Sequence, residues 1–414
     1  MQKYKKLKSF YYQYGNDNEQ EYLRRFHSSD AILFKFRVGP YPAFIMQTAG
    51  LYKQALEIQI LCREIDALSA SLPDAALKQY RSRCLVEEVL YTNHIEGVYS
   101  TRAEIGTVLE RVKSSYAGSE KSKKRRRPVR FESVVRKYYM LDSNVDVPLN
   151  TSIDVRNLYD DMMLNEALRE DPDSEPDGNV FRKGKVYLTN GLSRYHHEGV
   201  TPEAEIVKQM DYALEMLSDK DIEILFRVSI FHYIFGYIHP FYEGNGRMSR
   251  FISSYVLSKK IQPLIGYRLS RAIAENRDRY YKAFRTCNDP LNRGDVTPFV
   301  ISFLGIVKTT CKTLAVELRE LSERFSELNK KLEKYMLDFA QNEKELYRLL
   351  LQAALFSDIG ISTSELCELA GISRTTLAKR LKKINERNDL ETTLITQSKY
   401  YKLKLENVSG IEVE

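Results

Sequence analysis

Residues 239–250 read His-Pro-Phe-Tyr-Glu-Gly-Asn-Gly-Arg-Met-Ser-Arg. His239 can take up a proton near neutral pH. Gly244, Asn245 and Gly246 allow backbone conformations closed to other residues. Backbone N–H groups in such a turn, at the start of a helix, converge on an anion. Arg247 and Arg250 are three apart on one helix face, and their forks suit phosphate oxygens. Glu243 is a hard oxygen ligand, placed to hold Mg²⁺ with phosphates completing the shell. The parts sum to a nucleotide triphosphate site with a general base, and hence to group transfer. The Walker pattern GxxxxGK[ST] is absent, and the dinucleotide pattern GxGxxG is not met.

These residues need a helix to end before them and another to begin after them. The apolar run Ile222–Ile238 is interrupted by Glu223, Arg227 and His232 and reads as a buried helix rather than a membrane span. Pro240 forces it to stop near His239. His232 then reads as a core histidine. The next helix is expected to begin near Arg247. Upstream, Ala31–Val38 is strand-like, and 51–95 has helical spacing broken near Pro73. Helical pattern returns at 131–141 and 154–168. Val180–Thr189 is rich in strand formers, and Asn190-Gly191 is a turn signal, predicting a hairpin at about 180–200. Thr201-Pro202-Glu203 reads as a helix start, with Thr201 as cap and Pro202 at the first helical position.

The 414 residues suggest two or three domains. Apolar and charged fractions of 43% and 29% are ordinary for a globular chain. The net charge of +7 is concentrated in places such as the block 121–127, read as a solvated loop. Five scattered cysteines form no CxxC pair, so neither a zinc site nor a disulfide framework is indicated, and a reducing cytoplasm fits. The first residues lead into no apolar segment of signal-peptide type.

From Leu314 apolar residues step by four and three through Leu318, Leu321, Phe325, Leu328, Leu332 and Tyr335. This seam fits packing on its own chain and a dimeric coiled coil equally well. Beyond it, 364–370 and 374–384 read as two helices joined by Gly371-Ile372-Ser373, a helix-turn-helix pattern. Two strand-like runs follow, as in a winged helix. Arg374, Lys379 and Arg380 on the second helix are candidate DNA contacts, with a protein-contact role as the alternative. The expected divisions are 1–130, a catalytic core over 131–310, a long helix over 311–344 and the terminal unit 345–414.

His239, Phe241, Glu243, Gly244, Asn245, Gly246, Arg247 and Arg250 match the pattern H-x-F-x-[D/E]-G-N-G-R-x-x-R, and the chain resembles the Fic family over about residues 75–305. The resemblance implies a mainly α fold: a helical core with a β-hairpin flap, here beside a C-terminal winged helix-turn-helix. It implies a nucleotidyltransferase that moves AMP from ATP to a Ser, Thr or Tyr hydroxyl of a protein, which could be the enzyme itself. His239 would be the base and Glu243 the Mg²⁺ ligand. Asn245 and the glycine backbone would form the anion hole, Arg247 and Arg250 would hold the outer phosphates, and Phe241 would anchor the loop. Tyr280 and Tyr281 are candidates to meet the base. The flap, about 185–200, could dock a target by strand addition.

Thr92-Asn93-His94-Ile95-Glu96-Gly97 also resembles the family's inhibitory pattern, [S/T]-x-x-x-E-[G/N]. Thr92 and Glu96 share a helix face and Gly97 can end the helix. Glu96 would then pair with Arg250 and deny space to the γ-phosphate. Two other readings remain: a hydrolase that removes AMP with the help of Glu96, and a DNA-binding regulator or toxin–antitoxin component with a secondary transfer activity. A kinase-like branch, in which lysine replaces the first motif glycine, does not fit because Gly244 is retained.

Overall fold

A computed structural model describes residues 4–116, 129–142, 145–190, 194–395 and 398–410. The basic block 121–127 lies outside the described residues. The chain is mostly helical. It opens with α1 (Leu7–Gln13), α2 (Glu19–Phe26) and an antiparallel pair, β1 (Ala31–Val38) and β2 (Tyr41–Met46). The strand-like patch thus finds a partner whose own pattern is masked by Pro42.

The break at Pro73 separates α3 (Ala49–Ala70) from α4 (Asp74–Ile95). Short helices follow: α5 (Arg102–Tyr116), α6 (Glu132–Tyr139), α7 (Ser152–Met162) and α8 (Leu164–Glu170). The hairpin is β3 (Tyr187–Asn190) with β4 (Arg194–Glu198), so only part of the strand-rich run is strand. Residues 180–186 are instead held by buried polar groups, described below. The next helix, α9 (Glu203–Ser218), starts one residue later than expected. Pro202 takes the cap position after a cis Thr201–Pro202 bond, and the carboxylate of Glu203 turns back to the N–H groups of Val180 and Phe181.

The centre of the molecule is α10 (Ile224–Ile238), buried over most of its length, and α11 (Asn245–Lys260), which packs on it. Around them lie α12 (Leu269–Glu275), α13 (Arg277–Asn288) and the long α14 (Thr297–Tyr335). Among the described residues α14 alone is long and apolar enough to cross a membrane, and 67% of its most apolar stretch is buried inside the protein. Its heptad seam is used within the chain. Leu314, Leu318, Leu328 and Leu332 are buried, and α14 packs on α3 and on α15 (Gln341–Phe356). The dimeric alternative for this seam therefore loses its apolar surface.

The C-terminal unit continues with β5 (Ile361–Ser362), α16 (Thr363–Leu369) and α17 (Arg374–Glu386). It ends with β6 (Leu390–Ile395), β7 (Ser398–Leu403) and α18 (Glu406–Ser409). The three strands form one antiparallel sheet in the order β5-β7-β6. Ser362 and Ser373 cap α16 and α17 through side-chain acceptors. This unit rests on the core through α15, which packs against α4.

Candidate active site

The helix α10 ends at Ile238, where His239 takes a left-handed conformation (φ 54°) that a non-glycine residue adopts only under constraint. The constraint comes from Arg182, a fully buried residue that spacing gave no reason to select. Its Nε donates to the His239 carbonyl at 2.8 Å, and Nη2 donates to the carbonyls of Val200 (3.0 Å) and Ile238 (3.3 Å). Nη1 reaches the Gly184 carbonyl. One guanidinium thus ties the end of α10 to both roots of the flap. Tyr242 adds a second tie, accepting from Gly184 N–H and donating to Asp177.

Burial pushes the His239 imidazole down to about 4. Interaction with the Gly236 backbone and with Glu96 opposes that fall, and the charge of Arg182 adds to it. At neutral pH His239 is uncharged and able to accept a proton. His232 is wholly buried, bonded to Ser253 (2.8 Å) and Tyr280 (2.7 Å), and burial holds it at about 3. It is a core residue, as its pattern predicts.

Phe241 anchors the loop as expected. It is fully buried and stacks on Tyr159 with ring centroids 3.7 Å apart, while Phe181 meets it edge-on. Asn245 closes the loop. Its Oδ1 accepts from Phe241 N–H (2.9 Å) and its Nδ2 donates to the Phe241 carbonyl (2.8 Å). This leaves one Nδ2 hydrogen and the backbone to meet an anion.

Gly244 is left-handed (φ 82°) and precedes α11, which begins at Asn245 rather than at Arg247. Gly246 lies close to the end of α4. A Cβ there would collide with the carboxylate of Glu96. That carboxylate therefore lies directly against the first turn of α11, where the helix dipole and free N–H groups favour negative charge.

The two arginines of the loop are each about 1% exposed, and each is met by a carboxylate from elsewhere. Arg250 donates from Nε to Thr92 Oγ1 (2.8 Å) and from Nη2 to the Thr92 carbonyl (3.1 Å). It also pairs with Glu96 at 2.8 Å. Glu96 caps α4, and Gly97 (φ 77°) follows in the left-handed conformation that closes such helix ends. The Glu96 side chain is 31% exposed although protein surrounds it, so it lies in an open cleft. Burial raises its pKa, but Arg250 outweighs this and leaves it below the usual carboxylate range. Arg247 is engaged by Glu170, the last residue of α8, through a bidentate pair at 2.7 and 2.5 Å. The spacing of the arginines carries no hint of this partner.

Glu243 is exposed and forms no hydrogen bond or ion pair with another described residue. Burial on one side, then the charge of Glu170, raises its pKa. A lone free carboxylate beside an anion cradle fits Mg²⁺, which binds through one or two carboxylates with phosphates and water. Among the described residues no cluster of three metal-binding side chains exists. Tyr280 is buried in an aromatic cluster with Phe284 and Phe299 and is bonded to His232, so packing accounts for it. Tyr281 is half-buried, beneath the Arg277 guanidinium, and its hydroxyl is raised first by burial and then by Glu96. Of the two tyrosines it is the one left at the rim of the cleft.

A short helix-end loop thus combines a glycine cradle, a half-buried neutral histidine and two charge-paired arginines within a mainly helical core. A model of the Fic/DOC family matches residues 151–257, and the chain carries a domain of that family there. A Nematostella vectensis protein named protein adenylyltransferase Fic is 33% identical over 123 residues, covering 29% of this chain and 25% of its own. A Drosophila grimshawi protein of the same name is 25% identical over 259 residues, covering 62% and 48%. The chain thus spans between a quarter and about half the length of these curated relatives. A Fic family protein from Desulfovibrio desulfuricans G20 shares the fold, with TM-score 0.51 at 20% identity over 89% of this chain and 98% of its own.

Proposed function

We propose that this protein is a self-inhibited adenylyltransferase that moves AMP from ATP to a Ser, Thr or Tyr hydroxyl of a target protein or of itself. The observation that carries this reading is the Glu96 carboxylate, bound to Arg250 and pressed on Gly246 where an anion belongs. His239 accepts the proton of the acceptor hydroxyl as its oxygen attacks the α-phosphorus. The bond from that phosphorus to the bridging oxygen breaks, and pyrophosphate leaves. The backbone at Gly244–Gly246 faces the charge that develops, which is where such chemistry gains most. Mg²⁺, held by Glu243, would neutralise phosphate charge. Tyr281, half-buried beside Arg277, would meet the base. The flap edge offers backbone groups for a target strand.

The test is wild type, Glu96→Gly and Glu96→Gly/His239→Ala with ATP labelled on the α-phosphate. Glu96→Gly should label protein at least about tenfold faster than wild type, and removing His239 should abolish it. Loss of label from a pre-modified target, with no gain in any variant, would overturn transfer in favour of hydrolysis aided by Glu96. The acid limb in Glu96→Gly should lie well below the ordinary histidine value of 6.5, because His239 stays unprotonated until the pH falls towards about 4. An acid limb at 6.5 would show that burial does not set this group.

A second reading concerns the C-terminal unit, whose elements run in winged-helix order. Residues 374–404 hold nine Lys and Arg against three Asp and Glu. Arg374 and Lys379 are exposed on α17 and form no ion pair with a described residue, whereas Arg380 turns to the Asn342 carbonyl. We read this face as a duplex DNA contact. Binding should weaken with salt and fall in Arg374→Ala/Lys379→Ala. Salt-insensitive or absent binding would leave a protein-contact role.

A further inference from the structure

Arg247 lies in the first turn of α11 and is nearly free of solvent contact. An unpaired guanidinium there would be costly, because burial and the positive end of a helix both oppose it. Glu170 removes that cost. It is the terminal residue of α8, its side chain is 27% exposed, and it binds Nη1 and Nη2 end-on. Such a pair fixes the plane of the guanidinium as well as its charge. It also uses only two of five N–H groups.

The donor that remains nearest the backbone is Nε–H, which is buried and has no acceptor within the protein. Buried donors of this kind invite a partner; the Nε groups of Arg227 and Arg268 are in the same state, but only that of Arg247 lies in the anion loop. Nε belongs to the residue immediately after Gly246, against which the Glu96 carboxylate is pressed. Glu170 acts on the same space from the other side, since its charge reaches Glu243.

We propose that Glu170 is a positioning residue: it holds the tip of Arg247 so that the Nε edge, rather than the terminal fork, is presented to the nucleotide phosphates. This rests on the adenylyl-transfer reading. It predicts a defect confined to the nucleotide.

The experiment uses the full chain carrying Glu96→Gly, with MgATP affinity read by titration calorimetry and transfer kinetics read in parallel. Glu170→Ala should raise the Kd and KM for ATP about tenfold and leave the KM for the acceptor unchanged. Glu170→Gln, which keeps the shape and one acceptor, should fall between. Arg247→Lys, which lacks the planar edge, should lose as much alone as together with Glu170→Ala. Unchanged ATP affinity in Glu170→Gln and Glu170→Ala overturns the proposal. Tighter ATP binding also overturns it, because Glu170 would then be competing with the phosphates for Arg247. If Glu170→Ala fails to fold, the Kd of Glu170→Gln decides. If Glu96→Gly binds ATP but transfers nothing, the transfer reading falls while the affinity series still decides for Glu170. If Glu96→Gly binds no ATP, both fall.

Discussion

Two helices of this molecule carry arginine in the first turn just after a glycine-containing turn, and these arginines meet opposite fates. At the start of α11, Arg247 and Arg250 are buried and each is neutralised by a carboxylate from a distant segment. At the start of α17, Arg374 faces solvent and pairs with no described residue. The local sequence is similar in kind, so the difference is made by tertiary packing. A buried arginine has its partners chosen in advance and responds only when one of them leaves. An exposed arginine is available to any anion, and its contribution is screened by salt.

The comparison can be broken first at Arg182, the extreme buried case, which is satisfied by backbone carbonyls alone. Arg182→Ala takes the side-chain donor from the carbonyls of His239, Gly184 and Val200, while Ile238 keeps the Val200 N–H, and should destabilise the protein by about 3 kcal/mol in denaturant unfolding. It should also free His239 from its left-handed backbone, so transfer should fall even under conditions where the variant is folded. A loss below about 0.5 kcal/mol would show that the hub is dispensable.

Next in size is Glu88, a fully buried carboxyl on α4 that accepts from Ser270 N–H and Oγ. Burial raises it from 4.5 to about 7. The folded state therefore holds this proton more tightly than the unfolded chain. Its contribution to stability is full below about 4.5 and is lost as the pH rises through about 7. Glu88→Gln should flatten the stability profile over that window, removing a slope of up to about 1.4 kcal/mol per pH unit. A profile unchanged by the substitution would place the titration elsewhere.

The smallest effect sharpens the exposed side. Arg374→Ala and Lys379→Ala should leave the unfolding midpoint where it is, since neither side chain is buried or paired. A clear drop would mean that α17 is held by contacts its exposure does not suggest.

The loop 239–250 was legible because its parts are contiguous and each type has few uses. Glu96 and Thr92 were legible because helical spacing put them on one face. The partners of these residues were not. Glu170 and Arg182 are single charged residues in unremarkable surroundings, and only the folded chain brings them to Arg247 and His239. The hairpin was found but drawn too long, because strand formers at 180–186 serve instead to house Arg182. Asn245 also closes the loop. Its side-chain amide matches the Phe241 backbone, which no spacing rule exposes. The heptad seam was ambiguous for a like reason, since apolar period shows that a partner exists and not which chain supplies it.

The missing Cβ of Gly246 has a consequence for how this protein can change. Under the proposed function, inhibitor and substrate occupy one volume, defined by the absence of a single carbon atom. Any side chain at 246 that evicted Glu96 would also fill the cradle, so the brake cannot be released there without losing the engine. Drift towards a constitutively active enzyme is thereby channelled to the end of α4.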